Sequence, residues 1–394
     1  MGGQGDTGTA APITVNDVVF TEATSRQRTL SWELNGASWA PPMTIEQYVG
    51  RETGLSQTAL SANGGTKYYV LHHKSDPELI VSACEVTAKQ GLVADKNGSR
   101  EVTAYSIASV FTNPRFRGHG MASHMLRHVQ QVVDKAGAEY GALYSDIGRV
   151  FYTRLGWQDL RSPQVLFHLR DDLRIPPEAV TGVTHLAEET VASLCEQEVA
   201  TWKERFRRIA QQRQQQNISS SNTTHIIFLP TPAQLSWHFA RDKYVCKILL
   251  DREVVHRGAQ TTDGKAWISW DHDLREKKLK ILKIVVGGED EPPAKRKTDA
   301  VKLLLAAMAE AKEWGLPKVL MWIPGAAGGN HLGQGDWEWE WATAAATDIW
   351  REWGPQVQVV LEEREDGSIP SLRWMGGESL EEVVWEDSEY YAWC

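Results

Sequence analysis

The chain has 394 residues, more than one compact core usually holds, so two domains are expected. Hydrophobic residues make up 42% and charged residues 24%, which is typical of a globular protein rather than a disordered or fibrous one. The formal net charge of −9 argues against nucleic acid as the main partner, and no apolar run approaches the length of a membrane span.

The cysteines and the first residues give an expectation about location. The four cysteines are Cys84, Cys195, Cys246 and Cys394. They lie far apart without CxxC or metal-ligand spacing, which predicts reduced thiols. The start, "MGGQGDTGTAAP", lacks the segments of a signal peptide, and Asp6 stands where a myristoylation motif needs Ser or Thr. We therefore expect a cytoplasmic protein whose residues 1–12 are disordered.

The first half alternates strand and helix signals. "MTIEQYVGRET" predicts a short helix, and "TKYYVLHHK" and "LIVSACEVTAK" predict neighbouring antiparallel strands. "EVTAYSIASVFTN" predicts a further strand that is stopped by Pro114. A helix over "MASHMLRHVQQVV", a strand "GALYSD", a short helix "IGRVFYTRLG" and a closing strand "VLFHLR" follow. This order predicts an α/β protein with a mixed sheet and helices packed on it.

The second half has a different composition but repeats part of this order. Only three of the 17 tryptophans fall in the first 170 residues. The polar run 207–224 predicts a helix end that leads into a flexible loop. "KLKILKIVVGG", "DAVKLLLAAMAEAKEWG" and "PKVLMWIPG" then predict strand, helix and strand, which indicates a weak internal duplication. We predict a first domain over 13–172, a polar helical connector over 173–227 and a Trp-rich domain over 228–394.

The segment "NPRFRGHGMASHMLRHVQQVV" places two glycines directly before a predicted helix. A helix N-terminus offers unpaired backbone amides that bind phosphate oxygens. Gly118 and Gly120 leave space over those amides, Ala122 keeps the first turn slim, and Arg117 adds a cation. A plain glycine turn before a core helix is the alternative. In the repeated order of the second half, the corresponding loop "EDEPPAKRKT" lacks the paired glycines.

Two motifs together carry a resemblance. Arg117-x-x-Gly120-x-Ala122 resembles the acyl-CoA pyrophosphate loop of the GNAT acetyltransferase superfamily, and "SDIGRVFYTRLGW" resembles its second motif. With "TPAQLSWHFARDKYV" and "WISWDHD", the chain is similar to the fungal lysine N-epsilon-acetyltransferase family. This resemblance implies a GNAT fold with a degenerate GNAT-like C-terminal domain. It further implies acetyl-CoA as co-substrate, no metal, and transfer to the side-chain amine of free L-lysine.

The resemblance also implies the residues that hold the cofactor. They are Val110, Phe111, Thr112, Arg117, Gly118, His119, Gly120, Met121, Ala122 and Ser145. The strand end 110–112 is expected to offer backbone groups to the pantetheine arm and the acetyl carbonyl. Ser145 stands where many members of the superfamily carry Asn, which weakens one contact to the cofactor arm.

Two residues are expected to move protons. Tyr152 is the candidate general acid for the CoA thiolate, although it can instead pack in the core or position the thioester. A lysine side-chain amine has a pKa near 10.4, so the site needs a proton acceptor. Glu85 is the first candidate base, with Asp146 and Glu46 as weaker ones. The alternative is that Glu85 is a charged residue on the solvent face of a strand.

The acceptor is the least determined part of this interpretation. "GQGDWEWEWATAAATDIWREWG" and "WEDSEYYAWC" interleave acidic and aromatic residues, which suits a pocket for a cationic amine or, alternatively, a buried core with the acids outside. One rival hypothesis changes the acceptor to a polyamine, an amino sugar or a toxic metabolite. Another makes the chain a non-catalytic acyl-CoA-binding sensor. The oligomeric state and the group that binds the substrate carboxylate have no sequence signal.

Overall fold

The computed structural model of the chain describes residues 13–216, 223–288, 290–325, 337–376 and 382–393. The predicted disorder of residues 1–12 and the centre of the predicted flexible loop, 217–222, lie outside these residues. No helix in the described ranges is both long and apolar enough to cross a bilayer.

Strands and helices alternate along the chain much as the sequence predicts. The strands are β1 (Val18–Glu22), β2 (Thr66–His73), β3 (Asp76–Asp95), β4 (Gly98–Thr112), β5 (Tyr140–Ser145), β6 (Gln158–Asp159), β7 (Pro163–Leu169), β8 (Val183–Leu186), β9 (Thr224–Phe228), β10 (Gly258–Thr261), β11 (Ala266–Asp273), β12 (Lys278–Val286), β13 (Lys318–Trp322), β14 (Val357–Glu363), β15 (Ile369–Trp374) and β16 (Val383–Trp385). The helices are α1 (Ser25–Trp39), α2 (Ile45–Leu55), α3 (Met121–Lys135), α4 (Val150–Thr153), α5 (Glu188–Gln216), α6 (Pro232–Leu250), α7 (Pro293–Glu313) and α8 (Trp337–Trp353).

Across the described residues the strands form two mixed sheets. The first has the order β1-β2-β3-β4-β5-β15-β6, with β9 joined to β3 and β16 joined to β9. The second has the order β14-β7-β13-β12-β11-β10-β8. β2 and β3 pair antiparallel, as the alternation of their sequences predicts. The predicted α/β class with mixed sheets is confirmed.

The two sheets exchange strands, which the sequence does not reveal. β7, expected to close the first sheet, instead pairs with β13 and β14 in the second, so that prediction is wrong. The edge beside β5 is occupied by β15, which pairs with β5 along its whole length. β9, from the middle of the chain, adds to β3. Period-two alternation determines which face of a strand is buried but not which strand lies beside it.

Both predicted strand–helix–strand units are present. We call β4–α3–β5 the first unit and β12–α7–β13 the second unit. In each unit the two strands pair in parallel over a short stretch and then diverge. A β-bulge interrupts the first strand of each unit, at Ser109–Val110 in β4 and at Leu282 in β12. The two units therefore share a backbone plan as well as an order of elements.

Apolar stripes attach the helices to the sheets. α3 buries Met121, Met125, Leu126, Val129 and Val133, the one-sided spacing of an amphipathic helix. One hydrophobic core contains residues of both sheets, including Tyr140, Trp267, Trp322 and Trp385. Most tryptophans of the second half whose side chains are described are buried in this core or in another one. Their burial supports the interpretation of that region as core.

Candidate active site

A cavity of about 720 Å³ opens where β4 and β5 diverge. β4 pairs with β5 only from Tyr105 to Ile107, opposite Gly141 to Leu143. Beyond that point the strand end 107–112, the loop 116–120 and the first turn of α3 form one wall. The end of β5 and α4 form the other. We call this space the cofactor cavity.

The loop before α3 has the conformation that binds phosphate. Gly118 and Gly120 have φ of +82° and +74°, a region that residues with a Cβ rarely adopt. A Cβ at either position would meet no atom within 4 Å, so open space lies over the loop. Gly120 is the N-cap of α3 and no side chain caps it. The first-turn amides therefore remain available for an anion, as the sequence predicts.

The bulge in β4 lies in the wall of the cofactor cavity. Two residues, Ser109 and Val110, lie opposite the single residue Cys84 of β3. Ser109 has φ of +52°, an uncommon value for a residue other than glycine. Such strained positions cluster at functional sites, and both bulge residues line the cavity. The bulge begins one residue before the strand end 110–112 that is expected to offer backbone groups to the cofactor.

The structure brings most of the predicted cofactor residues together. Those that line the cavity are Val110, Phe111, Thr112, Arg117, Gly118, Gly120, Met121 and Ala122. His119 is in the loop but does not line the cavity. Ser145 is fully buried, donates to the carbonyl of Gly148 at 2.6 Å, and does not line the cavity either.

Arg117 is exposed and folds back on the end of β4. Its Nε donates to the carbonyl of Thr112 at 3.1 Å, and its guanidinium lies 5.2 Å from the ring centre of Phe111. Its remaining N–H groups provide charge at the mouth of the cofactor cavity.

Tyr152 lines the cofactor cavity from α4 and is 8% exposed. Burial raises the pKa of its phenol well above the ordinary value, with the carboxylate of Asp146 adding to the effect. The phenol is therefore protonated at neutral pH and able to donate. Among the described residues it has ring contacts with Phe151 and Trp157 at 5.0 and 6.4 Å. This placement suits both the proton-donor role and the positioning role.

A smaller space of about 150 Å³ adjoins the cofactor cavity. We call it the acceptor pocket. It shares wall residues with the cofactor cavity, namely Trp39, Ile107, Ala108, Ser109, Tyr144 and Asp146. The two spaces therefore meet at the bulge of β4, where a thioester bound in one and an amine bound in the other come together.

Glu85 lies on the acceptor pocket and not on a solvent face. It is opposite Ala108 in the β3–β4 register, beside the bulge, and its side chain accepts hydrogen bonds from Ser109 and Trp32. Burial, and next the nearby carboxylate of Glu52, raise the pKa of Glu85 to about 8. A carboxyl with a pKa in this range is suited to accept a proton from an amine.

The other two candidate bases have different positions. Asp146 lines both spaces and accepts the backbone N–H of Ser368 at 2.8 Å. Glu46 is exposed in the first turn of α2 and lines neither space. The geometry therefore favours Glu85, with Asp146 as the second carboxylate at the junction.

The second half of the chain closes the acceptor pocket. Trp237 and Arg241, one turn apart on α6, line it together with Arg275 and Trp393. A hydrogen bond from β3 holds the residue before Trp393 in place, since Lys89 Nζ donates to the carbonyl of Ala392 at 2.6 Å. The acidic-aromatic segment at the C-terminus thus divides: most of its residues are core, and Trp393 forms pocket wall.

A family model described as the LYC1 GNAT-like C-terminal domain matches residues 172–394, more than half of the chain. The chain belongs to the LYC1-like GNAT family. The predicted membership of the GNAT superfamily is thereby confirmed. The LYC1-like chain is also 22% identical to the uncharacterized protein YGR111W of Saccharomyces cerevisiae, over 91% of this chain and 93% of that protein.

A solved structure with a TM-score above 0.5 agrees with this assignment at the level of the fold. The LYC1-like chain is similar to a GCN5-related N-acetyltransferase from Anabaena variabilis, with a TM-score of 0.53 and 13% identity, over 91% of this chain and 73% of that one. A GCN5-related N-acetyltransferase from Kribbella flavida has a TM-score of 0.46 at 13% identity, over 91% and 72% of the two chains. The fold supports acyl transfer in general.

Most residues that line the acceptor pocket are not among those predicted from the sequence. Tyr48, Arg51, Glu52 and Leu55 line it from α2. Their spacing of i, i+3, i+4 and i+7 places them on one helix face, and an ion pair on an otherwise apolar face was a usable signal. Trp237 and Arg241 show the same i, i+4 spacing. No such signal assigns Trp393, which reaches the pocket through tertiary contacts alone.

The described residues contain one group with metal-ligand geometry, His185, His256 and Glu310, whose ligand atoms lie within 4.8 Å of one another. None of the three lines the cofactor cavity or the acceptor pocket. These three residues therefore lie outside the candidate active site.

Proposed function

We propose that the protein transfers the acetyl group of acetyl-CoA to the side-chain amine of free L-lysine. One observation carries the proposal: a small acceptor pocket with a buried carboxyl, Glu85, adjoins a cofactor cavity that has an intact phosphate loop. A pocket of about 150 Å³ suits a short amine better than a folded protein surface.

In the proposed reaction the amine attacks the thioester carbonyl directly. A C–N bond forms, the C–S bond breaks, and backbone amides near the β4 bulge stabilise the tetrahedral oxyanion. Glu85 takes the proton that the amine loses, directly or through water, and Tyr152 gives a proton to the CoA thiolate. No covalent enzyme intermediate is needed, and Cys84, although close in the β3 register, is buried with a pKa raised by burial.

The lysine assignment follows the family resemblance and the charges of the pocket. The carboxylate of Asp146, and that of Glu85 once it is ionised, suit a cationic acceptor, and the indoles of Trp237 and Trp393 suit an alkyl chain. Another small amine is the alternative acceptor.

The described cysteines are free and buried, which supports the predicted cytoplasmic location.

The test is thiol release from acetyl-CoA with L-lysine, its α-acetyl form and its ε-acetyl form. We expect turnover with lysine and with α-acetyl-lysine, and none with ε-acetyl-lysine, because only the first two have a free side-chain amine. Activity confined to a different amine would refute lysine as the acceptor and retain the chemistry. Binding of CoA without turnover of any amine would favour the sensor hypothesis.

A further inference from the structure

We propose that Arg241 is the carboxylate-binding residue of the acceptor pocket, so that the enzyme selects an α-amino acid over a plain amine. The inference rests on the proposed function, because it assigns the part of the acceptor that does not react. Glu85 is the proposed acceptor of the proton from the reacting amine. Arg241 would bind the carboxylate at the other end of the same acceptor molecule.

Arg241 is positioned to contact a ligand in the acceptor pocket. It lines the acceptor pocket from α6, a helix of the second half, and it is partly buried. Its guanidinium lies 5.7 Å from the ring centre of Trp393. Within the described part of the chain, its N–H groups have no hydrogen-bond or ion-pair partner. A fork of unpaired donors inside a pocket is the arrangement that binds a carboxylate through two parallel hydrogen bonds.

The surrounding charge keeps Arg241 cationic without occupying its hydrogen-bond donors. Burial alone would lower the pKa of the guanidinium, but the carboxylates of Asp273 and Asp271 raise it. Those two acids are in ion-pair contact with Lys280 instead, at 3.2 and 3.5 Å. Arg241 thus has its charge balanced at a distance, and its donors stay available for a ligand.

The other two arginines that line the pocket are less suitable for binding a carboxylate. Arg51 donates from its Nε to Glu52 at 2.9 Å and lies 4.7 Å from the ring centre of Tyr48, so its charge is already paired. Arg275 is exposed and donates to the carbonyl of Ser38 at 3.4 Å. A carboxylate bound at Arg275 would compete with solvent, whereas Arg241 lies deeper.

The experiment compares L-lysine with L-lysinamide, which keeps the amines and the size but has no carboxylate. For the wild type we expect kcat/KM to favour lysine. In Arg241→Gln we expect this preference to fall by roughly 10- to 100-fold, chiefly through KM for lysine, because a charge-assisted bidentate contact is lost. Arg241→Lys keeps the charge but not the fork, so it should recover only part of the preference.

The matched control is Arg252→Gln, since Arg252 also stacks on an indole, 3.7 Å from the ring centre of Trp314, but lies outside the pocket. It should keep the wild-type preference. An equal loss on lysine and lysinamide in Arg241→Gln would show that Arg241 merely holds Trp393 in place, and would overturn the inference. So would a collapse of the preference in Arg275→Gln with none in Arg241→Gln.

Calorimetric titration of L-lysine into the CoA-bound protein separates this inference from the proposed function. If no amine is acetylated but lysine binding is weakened by Arg241→Gln, the proposed function fails and the carboxylate site stands. If lysine and lysinamide are acetylated equally well, the transfer reaction stands and the carboxylate site is refuted.

Discussion

The first and second units have the same backbone plan and different loops. Both have a bulged strand, a helix and a parallel strand. In the first unit the helix starts at Gly120, with open space over its amides. In the second unit the helix is preceded by Pro292 and starts at Pro293, which have no N–H, and Glu291 lies beside Gly287. The comparison teaches that loop chemistry, and not the strand–helix–strand plan, decides which unit leaves its helix amides open to a phosphate group.

The position just after the bulge shows the same divergence. In the first unit it is Phe111, which lines the cofactor cavity. In the second unit it is Lys283, whose ammonium donates to Asp387 at 2.7 Å and to Glu389 at 2.5 Å. The second unit thus uses this position to bind the C-terminal segment, and through that segment it places Trp393 in the acceptor pocket.

The largest expected effect is on the first unit's chemistry. Tyr152→Phe removes the proposed proton donor while keeping the ring, so kcat should fall by roughly 10²- to 10³-fold with little change in KM for acetyl-CoA. Steady-state kinetics measure it. Tyr105→Phe is the matched control, since Tyr105 packs against the same core outside both spaces. A small loss of kcat in Tyr152→Phe, matching the control, would remove the acid role.

A substitution in the second unit should lower the free energy of unfolding rather than change the kinetics. Lys283→Met leaves the carboxylates of Asp387 and Glu389 buried without their cation, so the free energy of unfolding should drop by about 3–5 kcal/mol. Urea denaturation monitored by tryptophan fluorescence measures the change. Phe111→Leu, at the matching position, should lose less stability and raise KM for acetyl-CoA. If instead Lys283→Met raised KM for acetyl-CoA without loss of stability, the assignment of roles to the two units would be wrong.

Glu85 should control the pH dependence of the first unit. Because the pKa of Glu85 is raised to about 8, its base form is a minority at neutral pH and becomes the major form above about pH 8. The kcat/KM for lysine should therefore rise with pH through this region, and Glu85→Gln should abolish this limb with a loss of roughly 10²-fold above it. The limb from deprotonation of the amine should persist. An unchanged profile in Glu85→Gln would transfer the base role to Asp146.

The same substitution should stabilise the fold. Glu85 has a raised pKa in the folded state, so its ionisation is easier in the unfolded chain, and the folded state loses stability as pH rises from the unfolded pKa to about 8. Glu85→Gln removes this loss, and the free energy of unfolding should increase by roughly 1–3 kcal/mol above pH 8, with no gain at pH 4. Thermal melts at the two pH values provide the comparison.

The smallest effect compares one glycine from each unit. Gly120→Ala and Gly315→Ala both place a Cβ at positive φ, +74° and +65°, in open space. Each should lose about 1 kcal/mol of stability. Only Gly120→Ala should also raise KM for acetyl-CoA, because only Gly120 lies in the cofactor cavity. Equal changes of KM in both variants would mean that the loss is general destabilisation.

Local patterns determined much of this protein. The strand–helix–strand order and the residues of the phosphate loop follow from periodicity, glycine spacing and resemblance, since these depend on residues close together in the sequence. For the same reason Tyr152 and eight of the ten predicted cofactor residues lie on one cavity. The side chain of Ser145 does not reach the cavity, because its hydroxyl donates to the carbonyl of Gly148. Motif spacing does not reveal this local hydrogen bond.

Tertiary structure alone decided the strand exchange and the acceptor pocket. β7 and β15 have ordinary alternating sequences, and only the competition for sheet edges assigned each to its sheet. The pocket collects Glu85 from β3, Glu52 from α2, Arg241 from α6 and Trp393 from the end of the chain, and Glu52 and Trp393 are 341 positions apart. Burial beside Glu52 also set the pKa of Glu85. Desolvation and long-range charge depend on which elements meet in space, so the sequence by itself named the candidate base but not the buried environment that raises its pKa.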